Sequence, residues 1–185
     1  KKVFLAMNEQ IRKSNKTWAM ISVSDKTGLT QLAKLLIKNN FSILATDGTK
    51  KFLNEQQIEV TSVSSFSKIP ELIGGRVKSL HPFLYAGILY KRESQSDKEE
   101  IKNLSIPSID LLICNLYPFK TEALEKQRPL EEAVDFIDIG GPSLLRAASK
   151  NFKFVTPILD LKDYKGLINN LNKNDGATDF IFRKK

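Results

Sequence analysis

The sequence WAMISVSDKTGLTQLAKLL, residues 18–36, decides the fold class of this 185-residue chain. Its first six residues form a short apolar run, which is typical of a strand buried on both faces of a sheet. Residues 24–28 follow as a polar turn, and apolar residues then recur at i, i+3, i+4 and i+7 from Leu29. That spacing is typical of an amphipathic helix. A buried strand that leads through a polar turn into a helix indicates a parallel sheet.

The same alternation continues along the chain. Apolar runs predict further strands at 41–45, 60–63, 109–115 and 154–158, of which 109–115 is the strongest. Helical patterns lie at 52–56, 93–103, 130–136, 142–149 and 162–171. Residues 64–90 break the rhythm, and Gly74-Gly75 and His81-Pro82 mark them as loop, in which we expect His81 to be structural. We therefore expect an α/β fold with three layers, α/β/α, and a mainly parallel sheet.

The net charge of +8 is concentrated at the two ends of the chain. Residues 1–17 hold five basic residues and one acid, and the last three residues are all basic, which leaves +1 for the rest. Ends of this kind are usually solvated segments, and aromatic residues do not alternate with these charges as they do in many nucleic-acid-binding arms. We expect a basic N-terminal extension at residues 1–16, one domain at residues 17–185, and no nucleic-acid partner.

The composition excludes several classes of protein. The chain has no run of about 18 apolar residues, so we expect no membrane-spanning helix. One cysteine and one histidine argue against a disulfide framework, a cysteine-rich zinc site and a histidine-based metal centre. We therefore expect a cytoplasmic protein with neither a metal nor a membrane as a partner.

Two polar turns follow predicted strands, and both are suited to bind a phosphate. The first contains Ser24 and Lys26, and the second contains Thr46, Gly48 and Thr49. Ligands of open parallel sheets bind beyond the carboxyl ends of the strands, and N–H groups at a helix start favour an anion. Ser24 could instead cap the helix that follows it, and this alternative stays open.

Three further segments have both a chemical and a purely structural interpretation. Arg76 and Lys78 follow a glycine pair, which indicates either a ligand-binding loop or a solvated basic loop. Asn115 and Tyr117 stand at the end of the strongest strand, where they could donate to a developing oxyanion or form an ordinary turn. Asp138 precedes another glycine pair and a helix, and it is a candidate acid or base, or a helix-leading cap.

Five motifs, in this order, resemble the inosine monophosphate cyclohydrolase domain of bifunctional purine-biosynthesis proteins. They are ISVSDKTG at 21–28, GRVKSLHP at 75–82, CNLYPF at 114–119, IDIGG at 137–141 and RAASKN at 146–151. The resemblance covers the chain from about residue 17 to residue 185. It implies a methylglyoxal-synthase-like fold and a chain that lacks the formyltransferase half.

The resemblance also implies the reaction and its residues. In 5-formamidoimidazole-4-carboxamide ribonucleotide, the carboxamide nitrogen attacks the formyl carbon, and water leaves to give inosine monophosphate. This ring closure needs no cofactor, and the family implies a homodimer of the full-length protein. The implied catalytic residues are Lys78, Tyr117, Asp138 and Lys150. The implied substrate-binding residues are Ser22, Ser24, Lys26, Thr27, Thr46, Gly48, Thr49, Arg76, Ser79, Cys114, Asn115, Ile139, Gly140 and Gly141.

Within this set, the chemistry of the ring closure suggests individual roles. We assign Asp138, coupled to Lys150, to deprotonate the carboxamide, and Lys78 to protonate the departing oxygen. Asn115, Tyr117 and N–H groups near Gly140 would stabilise the oxyanion. The two polar turns would hold the phosphate, and Arg76 would lie near the base or the ribose.

Three positions depart from the family pattern. Asp47 replaces a glycine of the second polar turn, where its charge would be unfavourable unless it points away from a phosphate. Phe152 replaces a histidine that often follows the Lys-Asn pair, and Ser79 replaces a threonine but keeps the hydroxyl. The main alternative is a non-catalytic nucleotide-sensing module, which would need the polar turns but neither residues 76–82 nor Asp138. A nucleic-acid-binding protein is the other alternative, and it rests on the net charge.

Overall fold

The computed structural model describes residues 17–67, 73, 76–77 and 79–185. Five parallel strands form one sheet in the order β3-β2-β1-β4-β5, which confirms the predicted sheet. The strands are β1 (Thr17–Ser22), β2 (Phe41–Ala45), β3 (Thr61–Ser62), β4 (Ile109–Cys114) and β5 (Thr156–Ile158). Because all of them are parallel, their carboxyl ends meet at one edge of the sheet.

Helices cover both faces of this sheet and complete the three predicted layers. They are α1 (Leu29–Lys38), α2 (Asp47–Glu55), α3 (Val63–Ser67), α4 (Pro82–Leu89), α5 (Gln95–Asn103), α6 (Leu130–Ala133), α7 (Gly140–Lys150), α8 (Tyr164–Lys173) and α9 (Phe180–Lys184). A π-helical turn at Lys120–Glu125 and 3₁₀ turns at Val134–Phe136 and Leu161–Asp163 complete the described helical segments. The predicted second polar turn is therefore partly helical, since α2 already begins at Asp47.

Strand β1 buries both of its faces, and its alternating side chains belong to two separate cores. Ile21 shares one core with Leu32 of α1 and Leu167 of α8. Met20 shares the opposite core with Leu84 of α4. Each fully buried side chain of this size contributes roughly 1.5–3 kcal/mol relative to exposure. The continuous apolar run of β1 thus reflects helices packed on both sides of the strand.

Helices α3 and α4 lie in the segment 64–90 that the sequence predicted to be loop, so that prediction is wrong. The sequence of α4, PFLYAGIL, is apolar on every side and carries no amphipathic period that would reveal a helix. Leu84 and Ile88 of α4 are fully buried against the sheet. His81 caps this helix, because its Nδ1 accepts the Phe83 N–H at 3.2 Å, which confirms a structural role for the histidine.

The two basic ends of the chain differ in what the structure shows. Residues 1–16, the predicted basic extension, lie outside the described residues. At the other end, the prediction of a solvated segment is wrong for Arg183, because its guanidinium donates to the carbonyl oxygens of Phe152 and Thr178. Within the described ranges, no helix is long and apolar enough to cross a membrane.

Candidate active site

A cavity of about 1360 Å³ opens at the carboxyl ends of β1, β2 and β4. The predicted site residues that line it are Ser22, Ser24, Lys26, Thr46, Gly48, Thr49, Arg76, Ser79, Asn115, Tyr117, Asp138, Ile139, Gly140 and Gly141. Residues separated by more than one hundred positions thus share one wall. The parallel sheet brings them together, because each follows a strand end or begins a helix at the same edge.

The β1 turn, residues 23–28, is fixed by Asn115 at the end of β4. Asn115 Oδ1 accepts hydrogen bonds from the Ser24 N–H at 2.6 Å, Ser24 Oγ at 2.9 Å and the Asp25 N–H at 3.1 Å. Asn115 Nδ2 donates to the Asp25 carbonyl oxygen at 2.7 Å, and Ser24 Oγ also donates to the Leu116 carbonyl oxygen at 2.9 Å. Helix α1 begins after Gly28, whose φ of 73° is left-handed. The alternative in which Ser24 caps α1 is therefore wrong.

The β2 turn, residues 46–49, combines an uncapped helix start with a buried threonine. Thr46 is the N-cap residue of α2, yet no side chain among the described residues caps this helix, so its first N–H groups remain available. Thr49 is only 1% exposed, and its hydroxyl lies 3.3 and 3.4 Å from the backbone N and O of Val23. The threonine hydroxyl therefore joins the two turns, and an anion at α2 would meet peptide N–H groups.

Asp47 points away from the cavity, which removes the expected conflict with a phosphate. Its Oδ1 accepts a hydrogen bond from Ser64 Oγ at 2.9 Å, and Asp47 does not line the cavity. The neighbouring Gly48 does line it, and a Cβ placed on Gly48 would meet no other group of the described chain within 4 Å. The start of α2 therefore presents open space to a ligand rather than a carboxylate.

Two side chains closely approach the Gly140-Gly141 pair at the start of α7. A Cβ on Gly140 would lie 2.1 Å from Ser79 Oγ, and a Cβ on Gly141 would lie 2.4 Å from Asp138 Oδ2. Asp138 Oδ1 accepts the Gly141 N–H at 2.9 Å, so the helix-leading cap is present. Asp138 Oδ2 accepts no hydrogen bond from the residues that the structure describes, and this leaves one carboxylate oxygen available beside the cavity.

Four predicted site residues are not part of the described cavity wall. Lys78 lies outside the described residues. Thr27 is exposed beside the wall, where its N–H donates to Asp25 Oδ1 at 2.9 Å. Cys114 is only 1% exposed, because its side chain packs in the core under α4 and α7, and burial, with a smaller effect of the Asp138 charge, raises the pKa of its thiol to about 12. Cys114 therefore does not present its side chain to a ligand.

Lys150, the fourth of these residues, stands at the far end of α7 from Asp138. Ten residues of helix separate it from Gly140, which corresponds to about 15 Å along the axis. This distance is greater than a lysine side chain spans, so the predicted coupling of Asp138 and Lys150 is not formed within one chain. The separation of twelve residues in the sequence does not reveal this distance, because a turn between Asp138 and Lys150 could have brought the two side chains together.

Several cavity residues were missed by the sequence analysis. Phe136 lies with its ring centroid 5.7 Å from that of Tyr117, and both line the cavity. Asp135 forms an ion pair with Arg76 across the rim, and both side chains are more than half exposed. Residues 134–136 belong to a segment that the sequence predicts to be helical. That prediction alone does not show which of the three side chains face a ligand. The one available signal is their position directly before the IDIGG motif.

The charge of the cavity is mixed. Its described wall contains two cations, Lys26 and Arg76, and the carboxylates Asp25, Glu122, Asp135, Asp138 and Asp160. Hydrogen bonds from Thr27 hold the pKa of Asp25 below its usual value. Lys26 Nζ donates to the Ser24 carbonyl oxygen at 3.2 Å, so this cation lies against the β1 turn. In the part of the chain that the structure describes, no group of three or more His, Cys, Asp or Glu side chains could hold a metal ion.

The comparisons with known proteins agree with this fold. The family model for the MGS-like domain matches residues 28–143, and the chain belongs to this family. Its solved relatives include the crystal structure of ForH, which is 35% identical, superposes with a TM-score of 0.79, and matches 92% of this chain and 88% of that one. The predicted methylglyoxal-synthase-like architecture is confirmed.

Within this family, the chain is similar to proteins named bifunctional purine biosynthesis protein PurH. The protein from Fusobacterium nucleatum is 44% identical over 167 residues, which cover 90% of this chain and 33% of that protein. The protein from Wigglesworthia glossinidia brevipalpis is 45% identical over 165 residues, which cover 89% of this chain and 31% of that protein. The chain therefore spans about a third of the length of the curated relatives that it matches.

Proposed function

We propose that this chain is an inosine monophosphate cyclohydrolase domain, which closes the second purine ring of 5-formamidoimidazole-4-carboxamide ribonucleotide. The carboxamide N–C bond forms at the formyl carbon, and the formyl C–O bond breaks. The carboxamide nitrogen and the formamido nitrogen each lose one proton, and both protons leave with the oxygen as water. The observation that carries this proposal is a single cavity that joins open helix N–H groups to the Asp138 carboxylate. Similarity to the bifunctional purine biosynthesis proteins supports it.

In this proposal, the phosphate and the reacting groups of the substrate bind at two different parts of the cavity wall. The phosphate lies at the start of α2, where the N–H groups of Gly48 and Thr49 and the Lys26 ammonium attract an anion. The reacting groups lie at the start of α7. There Asp138 Oδ2, which accepts no hydrogen bond from a described residue, takes a carboxamide proton. The Gly140 N–H and Tyr117 hydroxyl stabilise the formyl oxygen as it gains charge. Lys78 remains the proposed acid for the departing oxygen.

Turnover of the formamido nucleotide tests this function directly. The purified chain is incubated with the nucleotide in the absence of any formyl donor, and inosine monophosphate is measured by chromatography. Asp138→Asn keeps an oxygen for the Gly141 N–H but removes the base, so we expect turnover to fall by about 10²–10⁴-fold. Asp175→Asn, an exposed aspartate outside the cavity wall, is the matched control and should turn over normally.

Two results would contradict the proposal in different ways. A wild-type chain that binds inosine monophosphate but converts no formamido nucleotide would be a nucleotide-sensing module instead. Normal turnover in Asp138→Asn would leave the activity intact but remove Asp138 from the mechanism. Binding of inosine monophosphate to the Asp138→Asn variant should stay within about threefold of wild type, because the phosphate contacts lie at α2.

We also propose that the full-length protein is a homodimer located in the cytoplasm. The position of Lys150 supports the dimer, because only a second copy could bring this lysine to Asp138. Exposed apolar side chains beside the cavity, including Leu130 at 78% and Val134 at 49% exposure, offer a surface that a second chain would cover. The single buried cysteine fits a reducing compartment.

A mixture of two inactive variants tests whether Lys150 acts on a second copy. If it does, a chain with Asp138→Asn and a chain with Lys150→Ala complement each other, since a mixed dimer contains one site with both residues intact. Random pairing would restore about a quarter of the wild-type activity. Activity no higher than that of the two variants measured separately would refute a catalytic contribution of Lys150 across a dimer.

A further inference from the structure

The side chain of Asn115, at the end of β4, makes four hydrogen bonds to the β1 turn. Three donors of the turn meet its Oδ1, at 2.6, 2.9 and 3.1 Å, and its Nδ2 donates to the Asp25 carbonyl oxygen at 2.7 Å. Ser24 and Asp25, which make these bonds, lie about ninety residues away in the sequence. A carboxamide oxygen has two lone pairs, so its accepting capacity is fully used.

These bonds leave Asn115 poorly placed to serve as an oxyanion donor. An oxyanion needs N–H groups, and one of the two Nδ2 hydrogens is already committed to the Asp25 carbonyl oxygen. The orientation of the whole amide is set by the turn, since both of its polar atoms bond to it. Any movement of Asn115 toward a substrate would break several of these hydrogen bonds at once.

We propose that Asn115 is a positioning residue that holds the β1 turn in the conformation that binds the phosphate group of the substrate. Its contribution is to the affinity for the phosphate and not to the ring closure. This inference rests on the proposed function for the identity of the substrate, but the phosphate-binding part can be measured without any turnover.

The contacts of Ser24 extend this role to the rest of the turn. The single hydroxyl proton of Ser24 is directed at Asn115 Oδ1 and the Leu116 carbonyl oxygen, both at 2.9 Å, so it serves the protein rather than the ligand. Lys26 follows in the same turn, and its ammonium contacts the Ser24 carbonyl oxygen. Releasing Ser24 and Asp25 from Asn115 therefore displaces the one described cation of the cavity that has no carboxylate partner.

Only an amide side chain can make all of these hydrogen bonds. Its oxygen accepts from the Ser24 and Asp25 N–H groups, while its nitrogen donates to the Asp25 carbonyl oxygen. Asn115→Asp keeps an acceptor for the Ser24 and Asp25 N–H groups, but it places a second oxygen against the Asp25 carbonyl oxygen in place of the Nδ2 donor. It also adds a negative charge to the cavity, and this charge would repel the phosphate of the proposed substrate. Aspartate should therefore be no better than alanine at this position.

The experiment separates ligand affinity from turnover in the full 185-residue chain. Dissociation constants of inosine monophosphate and of ribose 5-phosphate are measured by calorimetry for wild type and Asn115→Ala, together with kcat and KM for the formamido nucleotide. We expect both dissociation constants and KM to rise by the same factor, about tenfold, and kcat to stay within about threefold of wild type. The equal loss for ribose 5-phosphate would locate the effect at the ribose phosphate part of the nucleotide and not at the base.

Two further variants keep the test decisive. Ser24→Ala removes the hydroxyl from the same network, so its loss of affinity should overlap with that of Asn115→Ala, and the double variant should lose less than the product of the two factors. Should Asn115→Ala fail to fold, Ser24→Ala supplies the comparison, because it weakens the same network without changing the charge of the cavity. Asn170→Ala is the matched control. Asn170 Nδ2 donates to Asp179 Oδ2 at 2.7 Å and its Oδ1 accepts the Asp179 N–H at 2.8 Å, so it also uses both ends of its amide to fix another segment, but it lies outside the cavity wall.

The possible outcomes distinguish this inference from the proposed function. If Asn115→Ala turns over at least about 100-fold more slowly but keeps its dissociation constants, the inference is overturned and Asn115 is an oxyanion donor. Unchanged affinity and unchanged turnover would overturn it as well. If the wild-type chain forms no inosine monophosphate, the proposed function fails, while the ribose 5-phosphate measurements still decide the role of Asn115. An equal loss of affinity in Asn170→Ala would show that the effect is general destabilisation and would also refute the inference.

Discussion

Replacement of Gly48 by alanine should make the fold more stable and the phosphate site weaker at the same time. Gly48 is the second residue of α2, and a Cβ there meets no other group of the described chain within 4 Å, so alanine adds helix propensity without a clash. The free energy of unfolding should rise by about 0.5 kcal/mol, less than the roughly 1 kcal/mol of a helix interior. The new methyl group would occupy cavity space where a phosphate approaches the helix start.

The size of the affinity loss follows from the bond that the methyl group would disturb. A hydrogen bond to a charged group contributes about 1.5–3 kcal/mol, so losing one N–H contact to the phosphate should raise the dissociation constant of ribose 5-phosphate at least tenfold. Urea unfolding gives the stability, and calorimetry gives the affinity. Gly166→Ala, in α8 and outside the cavity, should leave the affinity unchanged. An unchanged dissociation constant in Gly48→Ala would show that the phosphate does not bind at α2.

Three further predictions concern the fold. Gly87→Ala should lower the free energy of unfolding by about 1–3 kcal/mol in a urea titration, because the new Cβ would lie 2.5 Å from the Pro107 carbonyl oxygen, a backbone atom that cannot rotate away. Tyr164→Phe should keep or raise stability, since the buried Tyr164 hydroxyl has no partner in the described structure, and a loss above about 1 kcal/mol would contradict this. Burial lowers the pKa of His81, so protonation is disfavoured in the folded state, and the melting temperature should fall as the pH drops below about 6.5. His81→Asn, which keeps a capping side chain, should flatten that dependence, and an unchanged pH profile would refute the assignment.

The sequence predicts the sheet well because its strands are short, apolar and separated by polar turns. Every predicted strand was found, and the alternation of Met20 and Ile21 between two cores explains why β1 has no polar face. Helix α4 was not predicted because its sequence is apolar on every side, and such a helix gives the same unbroken apolar run as a loop with hydrophobic residues. Helix α4 is stabilised by packing against α7 and the sheet, and a local sequence pattern does not reveal such tertiary contacts.

Fourteen of the predicted site residues line the cavity, but the sequence could not predict which groups their polar atoms contact. A motif places Asn115 at the edge of the sheet, and the structure adds the four bonds through which its amide faces a turn ninety residues away. The sequence also could not show the distance between Asp138 and Lys150. The two residues are close in the sequence but lie at opposite ends of α7. Which partner occupies a polar atom is a property of tertiary structure, and it decides whether that atom is free to act on a substrate.

The charge distribution indicates that a phosphate bound in this cavity would depend on peptide groups. The net charge of +8 favours an anionic ligand, yet the described wall of the cavity holds more carboxylates than cations, and Arg76 is already paired with Asp135. The charges of the described side chains alone would therefore repel a phosphate. An uncapped helix start contributes about half a positive charge and several aligned N–H donors, and turning Asp47 toward Ser64 keeps a sixth carboxylate away from it. A small nucleotide can reach such N–H groups inside a cavity, whereas the backbone of a nucleic acid would require an exposed basic surface, and this distinction favours the nucleotide as the ligand.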